Sequence, residues 1–210
     1  MDFKEVKRLL NICSYEDELY NCGFENIAGA DEVGRGSLAG PIVAAAVILD
    51  RKKILIENLN DSKKVNERNR NKLFRKIIKS CKCWSFSRVS PHIIDRISLG
   101  KANILVIKKA ITQLKIKPDI VITDAIDVKM DKFGIKVIPI ISGDKLSASI
   151  AAASIIAKVI RDRIMIKESR VYPGYDFKRN KGYGTKKHIL VLQKNGPSKI
   201  HRISFKSVLN

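Results

Sequence analysis

Residues 27–49 read IAGADEVGRGSLAGPIVAAAVIL, a small, apolar stretch that holds two adjacent carboxylates, Asp31 and Glu32. An unpaired buried carboxylate is so unfavourable that a core segment excludes acids unless their charge is matched. The flanking residues read as two successive strands, 27–33 and 41–49, broken by Gly34, Gly36, Gly40 and Pro41. Neither a helix cap nor a turn accounts for paired acids inside such a segment. Side chains alternate faces along a strand, so both acids reach one site only where the strand bends or ends. Gly34 and Gly36 make that departure easy.

Downstream, Asn66–Ser80 has a basic helical pattern with Leu73, Ile77 and Ile78 as its apolar face, and CWSFSRV at 83–89 reads as a third strand. Leu99–Leu114 predicts a helix ended by Pro118. IVIT at 120–123 and IKVIPII at 135–141 are short, nearly continuous apolar runs, as buried parallel strands are. A long helix is expected from about Leu146 to Ser169; its SASIAAASIIA portion lacks a polar face and is therefore buried. A last short helix runs from Thr185 to Lys194, stopped by Gly196 and Pro197. Strands in meander, then strands alternating with helices, predict an α/β fold: a mixed sheet with helices on both faces. No repeat or linker divides the chain, so one domain is expected over 1–210, with a core at about 27–170 and a C-terminal segment at about 171–205.

In open α/β sheets, functional groups gather past the carboxyl ends of the strands. Asp124 directly follows the 120–123 run, and Asp144 stands between a strand and the long helix. Together with Asp31 and Glu32 they could converge as metal ligands must. Taken alone, Asp144 is better read as a helix N-cap or N-terminal dipole partner; for Asp124 the alternative is a turn aspartate, as Asp127 and Asp131 are. Oxygen ligands with no His or Cys nearby suit Mg²⁺ or Mn²⁺, not zinc. His92, His188 and His201 read as packing or backbone-bonded residues rather than general bases.

Charge supports a polyanionic partner. The chain has 41 Lys and Arg against 21 Asp and Glu, a net charge of +20, while 45% of it is apolar. This is the footprint of a nucleic-acid binder, although an AT-rich genome would also enrich Lys, Ile and Asn. Carboxylates on such a surface suggest two-metal phosphodiester chemistry, with ions roughly 3.5–4 Å apart. The longest apolar run, Pro41–Leu49, is far short of a spanning helix, and the N-terminus has no signal-like apolar core. Cys13, Cys22, Cys81 and Cys83 are irregularly spaced and read as reduced thiols. A cytoplasmic, monomeric protein with no membrane contact is expected.

Five blocks occur in order: DEVGRG (31–36), LNDSKK (59–64), SGD with SIAAASIIAKVIRDR (142–163), NKGYGT (180–185) and GPSKIHRISF (196–205). Together they resemble bacterial ribonuclease HII, the type 2 ribonuclease H, over about residues 27–205. The resemblance implies a ribonuclease H-like fold with a mixed five-stranded sheet and a short C-terminal helical segment. It implies that Asp31, Glu32, Asp124 and Asp144 form a catalytic set holding two Mn²⁺ or Mg²⁺ ions. It also implies that the backbone of Gly34, Arg35 and Gly36 lies along the ribonucleotide 2′-hydroxyl and that Tyr183 stacks on the following deoxyribose. Lys63 and Arg202 look like phosphate contacts. The implied substrates are RNA–DNA hybrids and duplex DNA with embedded ribonucleotides; recruitment by a clamp or polymerase is left open. Three departures stand near the acids: Ala125 where Gly is common, Ser142 where a basic residue is common, and Lys145-Leu146 after the fourth acid. The competing reading is a basic binding protein whose acids only cap and turn; it forecasts no need for a divalent ion.

Overall fold

In the computed structural model, which describes residues 1–209, five strands form one sheet: β1 (Ile27–Val33), β2 (Ile42–Leu49), β3 (Cys81–Val89), β4 (Ile120–Asp124) and β5 (Lys136–Ile140). Their order is β3-β2-β1-β4-β5. The β1–β2 and β2–β3 pairs are antiparallel, and the β1–β4 and β4–β5 pairs are parallel. This is the mixed sheet the sequence predicts.

Ten α-helices are described: α1 (Phe3–Ile12), α2 (Ser14–Asn21), α3 (Glu67–Ser80), α4 (Pro91–Ile97), α5 (Leu99–Thr112), α6 (Gly143–Leu146), α7 (Ala148–Val171), α8 (Phe177–Asn180), α9 (Lys186–Asn195) and α10 (Lys206–Leu209). Helix α7 covers one face of the sheet, where Ile150, Ala152, Ala153 and Ile156 join Ile27, Val43, Ala45 and Val47. Helix α5 covers the other, where Ala102, Val106 and Ala110 join Ala28, Ala30, Ala44 and Ala46. Alternate residues of β1 and β2 thus enter opposite cores, which is why these strands show no polar face. Among the described residues, no helix is long and apolar enough to cross a membrane.

Small residues set how closely α7 approaches. A Cβ built on Gly29 of β1 would stand 2.2 Å from the carbonyl carbon of Ser149. Strand backbone and helix backbone therefore meet directly there, and the alanines of α7 sustain that contact along the sheet.

Four features differ from what the sequence predicts. The long helix is split: α6 ends at Leu146, and Ser147 starts α7 by accepting a 3.1 Å hydrogen bond from the Ile150 amide. The apolar face of α3 buries Phe74 with Leu73 and Ile77, leaving Ile78 half-buried. His92 is exposed on α4 rather than packed. Helices α1 and α2 fill a region for which the sequence pattern predicted no element. From α2, the fully buried Glu16 reaches across to Ser147, accepting from its hydroxyl at 2.6 Å and from the Ser149 amide at 2.8 Å.

Candidate active site

The two acids of β1 do point to opposite faces. Asp31 turns toward Ser154 of α7, whose polar side chain eases its charge, and Glu32 turns toward Asn103 of α5, which does the same. They share one cleft because the strand ends at Val33 and Gly34 turns the chain with φ +94°. The last pair of the β1–β4 ladder is Ala30 with Thr123, so the next residues, Asp31 and Asp124, lie side by side at the carboxyl ends of parallel strands. Asp144 arrives from the following connection. Its neighbour Gly143 donates its amide to Asp124 Oδ1 at 2.8 Å, tying the α6 turn to the end of β4. Ser142 and Ala125, two of the departures from the family pattern, both take left-handed backbone conformations in these turns, with φ 57° and 56°.

Burial and mutual repulsion dominate the electrostatics. Burial, then the charges of Glu32 and Asp124, holds the Asp31 carboxyl well above the usual carboxylate range. Burial raises Glu32 as well, partly offset by Arg35, whose Nη1 stands 3.7 Å from it. Asp144 is raised by burial, then by Asp124 and Asp61, and is lowered by Lys63, whose Nζ lies 3.6 Å away. The two cations do little to neutralise the set, since the Arg35 and Lys63 side chains are 56% and 81% exposed. Among the described residues, no three carboxylate, imidazole or thiol groups are already gathered closely enough to clasp a metal ion. The acids flank the cleft instead of closing on one point. As a donor set they fit hard divalent cations: oxygen-only, buried and short of positive charge.

The cleft has a volume of about 530 Å³ and is lined by Asp31, Glu32, Gly34, Arg35, Gly36, Ser62, Lys63, Asp124, Ser154, Lys158 and Tyr183, among others. It brings together all but two of the residues singled out in the sequence: Asp144 lies behind Lys63, and Arg202 is elsewhere. Arg202 is completely buried, donating to the Gly40 carbonyl from Nε and Nη2 at 3.1 and 2.9 Å and to the Arg35 carbonyl from Nη1 at 2.8 Å. Its donors are engaged and solvent cannot reach it, so the expected phosphate contact is replaced by a brace beneath the Gly-Arg-Gly loop. Arg161, unassigned from the sequence, is the second brace, with donors on the carbonyls of Pro41, Lys181 and Ala39. A Cβ on Gly34 would stand 2.2 Å from Arg161 Nε, so glycine is required there; around Gly36 a Cβ would meet nothing within 4 Å. The Tyr183 ring lies over Lys158 Nζ at 5.5 Å and the Arg161 guanidinium at 5.3 Å, and its backbone bridges to Ser37. Ser62, Ser154 and Lys158 also line the cleft; each lies inside a quoted block, but no local pattern marks it, and the one available signal is proximity to the acids and loop glycines after folding.

Strand-end carboxylates on this mixed sheet, with a glycine-rich loop over them, define a nuclease of the ribonuclease H class. The family model described as Ribonuclease HII matches residues 28–208, and the chain belongs to that family. A ribonuclease HII of Caldicellulosiruptor bescii is 50% identical over 201 residues, covering 95% of this chain and 96% of its own. The ribonuclease H2 of Pyrococcus horikoshii OT3 superposes with a TM-score of 0.74 at 28% identity, covering 88% of this chain and 95% of its own. A Bst ribonuclease HIII solved with Mn²⁺ shares the fold alone, with a TM-score of 0.64 at 20% identity over 87% of this chain and 68% of its own. The protein is accordingly a hydrolase, a ribonuclease H endonuclease acting on RNA–DNA hybrids.

Proposed function

We propose that the enzyme nicks the 5′ side of a single ribonucleotide embedded in duplex DNA, as well as cutting the RNA strand of longer hybrids, and leaves 3′-hydroxyl and 5′-phosphate ends. The observation that carries this reading is adjacency: the Gly34-Arg35-Gly36 loop begins two residues after the paired acids and shares their cleft. RNA differs from DNA locally by its 2′-hydroxyl, which main-chain groups detect only at close approach. Glycine allows that approach, and a reader next to the acids couples recognition to chemistry.

Asp31, Glu32, Asp124 and Asp144 would hold two Mg²⁺ or Mn²⁺ ions, which when bound supply an activated water and stabilise the leaving oxygen. Arg35, with its exposed guanidinium, engages a phosphate next to the scissile bond. Tyr183 offers a ring face to the sugar on the 3′ side, and Lys63 and Lys158 attract the backbone. The segment after about residue 171 would complete the substrate surface of a single catalytic domain. Ribonucleotide removal during DNA replication and repair in the cytoplasm, by a monomer, is the role this activity fits.

The test is cleavage of duplex DNA carrying one ribonucleotide, with and without Mg²⁺ or Mn²⁺. One nick on its 5′ side, strictly dependent on the ion, is expected. All-DNA duplex stays intact, and a 2′-O-methyl group at that position blocks the cut. A requirement for several consecutive ribonucleotides would overturn the junction-reading role given to Gly34, Arg35, Gly36 and Tyr183.

A further inference from the structure

Two buried imidazoles lie behind Tyr183, and the acid chemistry uses neither. His188 and His201 are 0% and 2% exposed, and their rings pack with Tyr175 and Phe177. Their hydrogen bonds run in one direction. The Ser198 amide donates to His201 Nδ1 at 2.8 Å, so that nitrogen carries no proton. The single proton of a neutral His201 then sits on Nε2, 3.1 Å from His188 Nε2. At the far side, His188 Nδ1 is 2.9 Å from the Tyr183 carbonyl, which can only accept, so Nδ1 carries the proton of His188. His188 Nε2 is thereby left bare to receive the proton that His201 offers. Ser198 amide, His201, His188 and the Tyr183 carbonyl form one chain of donors in which each tautomer is fixed by the next group. Burial lowers both imidazoles, His201 to about 4, and keeps them neutral.

This chain ends on the backbone of the residue whose ring lines the cleft. The same carbonyl also accepts from the Thr185 amide at 2.8 Å, so the peptide after Tyr183 is held from two sides. From a core otherwise built of apolar and aromatic groups, a donor pair aimed at one carbonyl fixes where the adjacent ring stands.

We propose that His188 and His201 are positioning residues that hold Tyr183 over the cleft, and so set how the enzyme engages the sugar next to an isolated ribonucleotide. The inference rests on the reading of Tyr183 as the residue that meets that sugar. Asparagine at 188 is the informative substitution, because its side-chain amide can place a donor where Nδ1 stands, whereas leucine keeps bulk and loses the donor.

The experiment compares His188→Asn, His188→Leu and Tyr183→Ala on duplex DNA with one ribonucleotide and on a uniform RNA–DNA hybrid. His188→Leu is expected to lower kcat/KM at the single ribonucleotide at least tenfold and on the uniform hybrid less than threefold, as Tyr183→Ala does. His188→Asn should restore most of the loss, and His188→Leu should add nothing further to Tyr183→Ala. Imidazole ¹⁵N spectra of the unaltered protein should show a neutral Nδ1–H tautomer for His188 and a neutral Nε2–H tautomer for His201. Equal losses on both substrates for His188→Leu alone, losses that multiply with Tyr183→Ala, or the opposite tautomers would overturn the positioning role. Equal losses for Tyr183→Ala itself would instead overturn the junction reading, while the tautomers and the non-additivity still judge the relay. Should His188→Leu fail to fold, His201→Gln, which keeps a donor facing His188, and His201→Leu replace the pair with the same expectations.

Discussion

Arg202 Nη1 donates at 2.8 Å to the carbonyl of Arg35, 167 positions earlier in the chain. A residue expected to touch phosphate instead fixes the loop in which Arg35 sits. Burial and the like charge of Arg161 lower the guanidinium to about 9, yet carbonyl oxygens alone accept from it. Lysine has no planar fork with which to span the Gly40 and Arg35 carbonyls. Arg202→Lys is therefore expected to cost about 1–3 kcal/mol in chemical denaturation, the penalty of an unpaired buried acceptor. Hybrid binding should weaken with it, but the slope of log affinity against log salt should stay unchanged, because no phosphate contact is lost.

Asp31→Asn is expected to abolish cleavage and to stabilise the metal-free protein. The Asp31 carboxyl is raised by burial first and by Glu32 second, above its ordinary value of 3.8. A carboxyl raised by folding binds more protons in the native than in the unfolded state, so its contribution is fully present below that value and is lost as pH rises through the native one. Asp31 alone should thus lower metal-free stability by up to about 1.4 kcal/mol per pH unit from the ordinary carboxylate range upward; Asp31→Asn removes that share and leaves the part due to Glu32 and Asp144, which burial also raises. Added Mg²⁺ should raise the Tm of the unaltered protein and leave that of the variant nearly unmoved. Near-normal turnover by a folded Asp31→Asn would sink the two-metal assignment.

The strand-end acids were legible because burial has so few explanations for a charge: Asp31 and Glu32 in an apolar run had to be matched by something. Asp124 and Asp144 were legible as acids at the carboxyl ends of predicted parallel strands. Other features depend on contacts that no local pattern carries. Arg202 sits in a basic block and reads as surface, while its acceptors lie 162 and 167 positions away. Glu16, in a region of mixed charge, owes its burial to Ser147 and Ser149, 131 and 133 positions on. The split between α6 and α7 was hidden because Asp144 and Ser147 are both plausible caps three residues apart, and the choice falls to the residue with extended backbone, Ser147, with φ −132° and ψ 129°.

That choice separates two substitutions. Ser147 accepts from the Ile150 amide and donates to Glu16, so Ser147→Ala removes a cap and one partner of a buried carboxyl. A loss of about 1–2 kcal/mol in thermal or chemical unfolding is expected, with turnover reduced less than tenfold. Asp144→Asn should do the reverse: metal-free stability holds or rises, because burial and the charge of Asp124 disfavour that carboxylate, while turnover collapses. If Asp144→Asn is instead close to silent in both stability and turnover, as an Asp-to-Asn change at a helix cap is, Asp144 is a helix residue and not a ligand.

Lys63 is the counterpart of Arg202. Its side chain is 81% exposed, with Nζ 3.6 Å from Asp144 and the charges of Asp61, Asp31 and Asp124 also nearby. Burial works against its ammonium, but these four acids together raise its pKa, so it stays charged throughout the working pH range. An exposed, permanently charged ammonium at the rim of the cleft meets a phosphate by displacing counterions and carries no sequence or sugar information. Lys63→Ala should weaken hybrid binding and flatten the salt slope by about one. The cut should remain at the same bond, since the loop and the acids that choose it are untouched. Salt titrations of binding, read beside the cleavage map, separate the two basic residues: the slope moves for Lys63→Ala and holds for Arg202→Lys. A displaced cut in Lys63→Ala would mean that this ammonium orients the scissile bond through Asp144 rather than merely attracting the backbone.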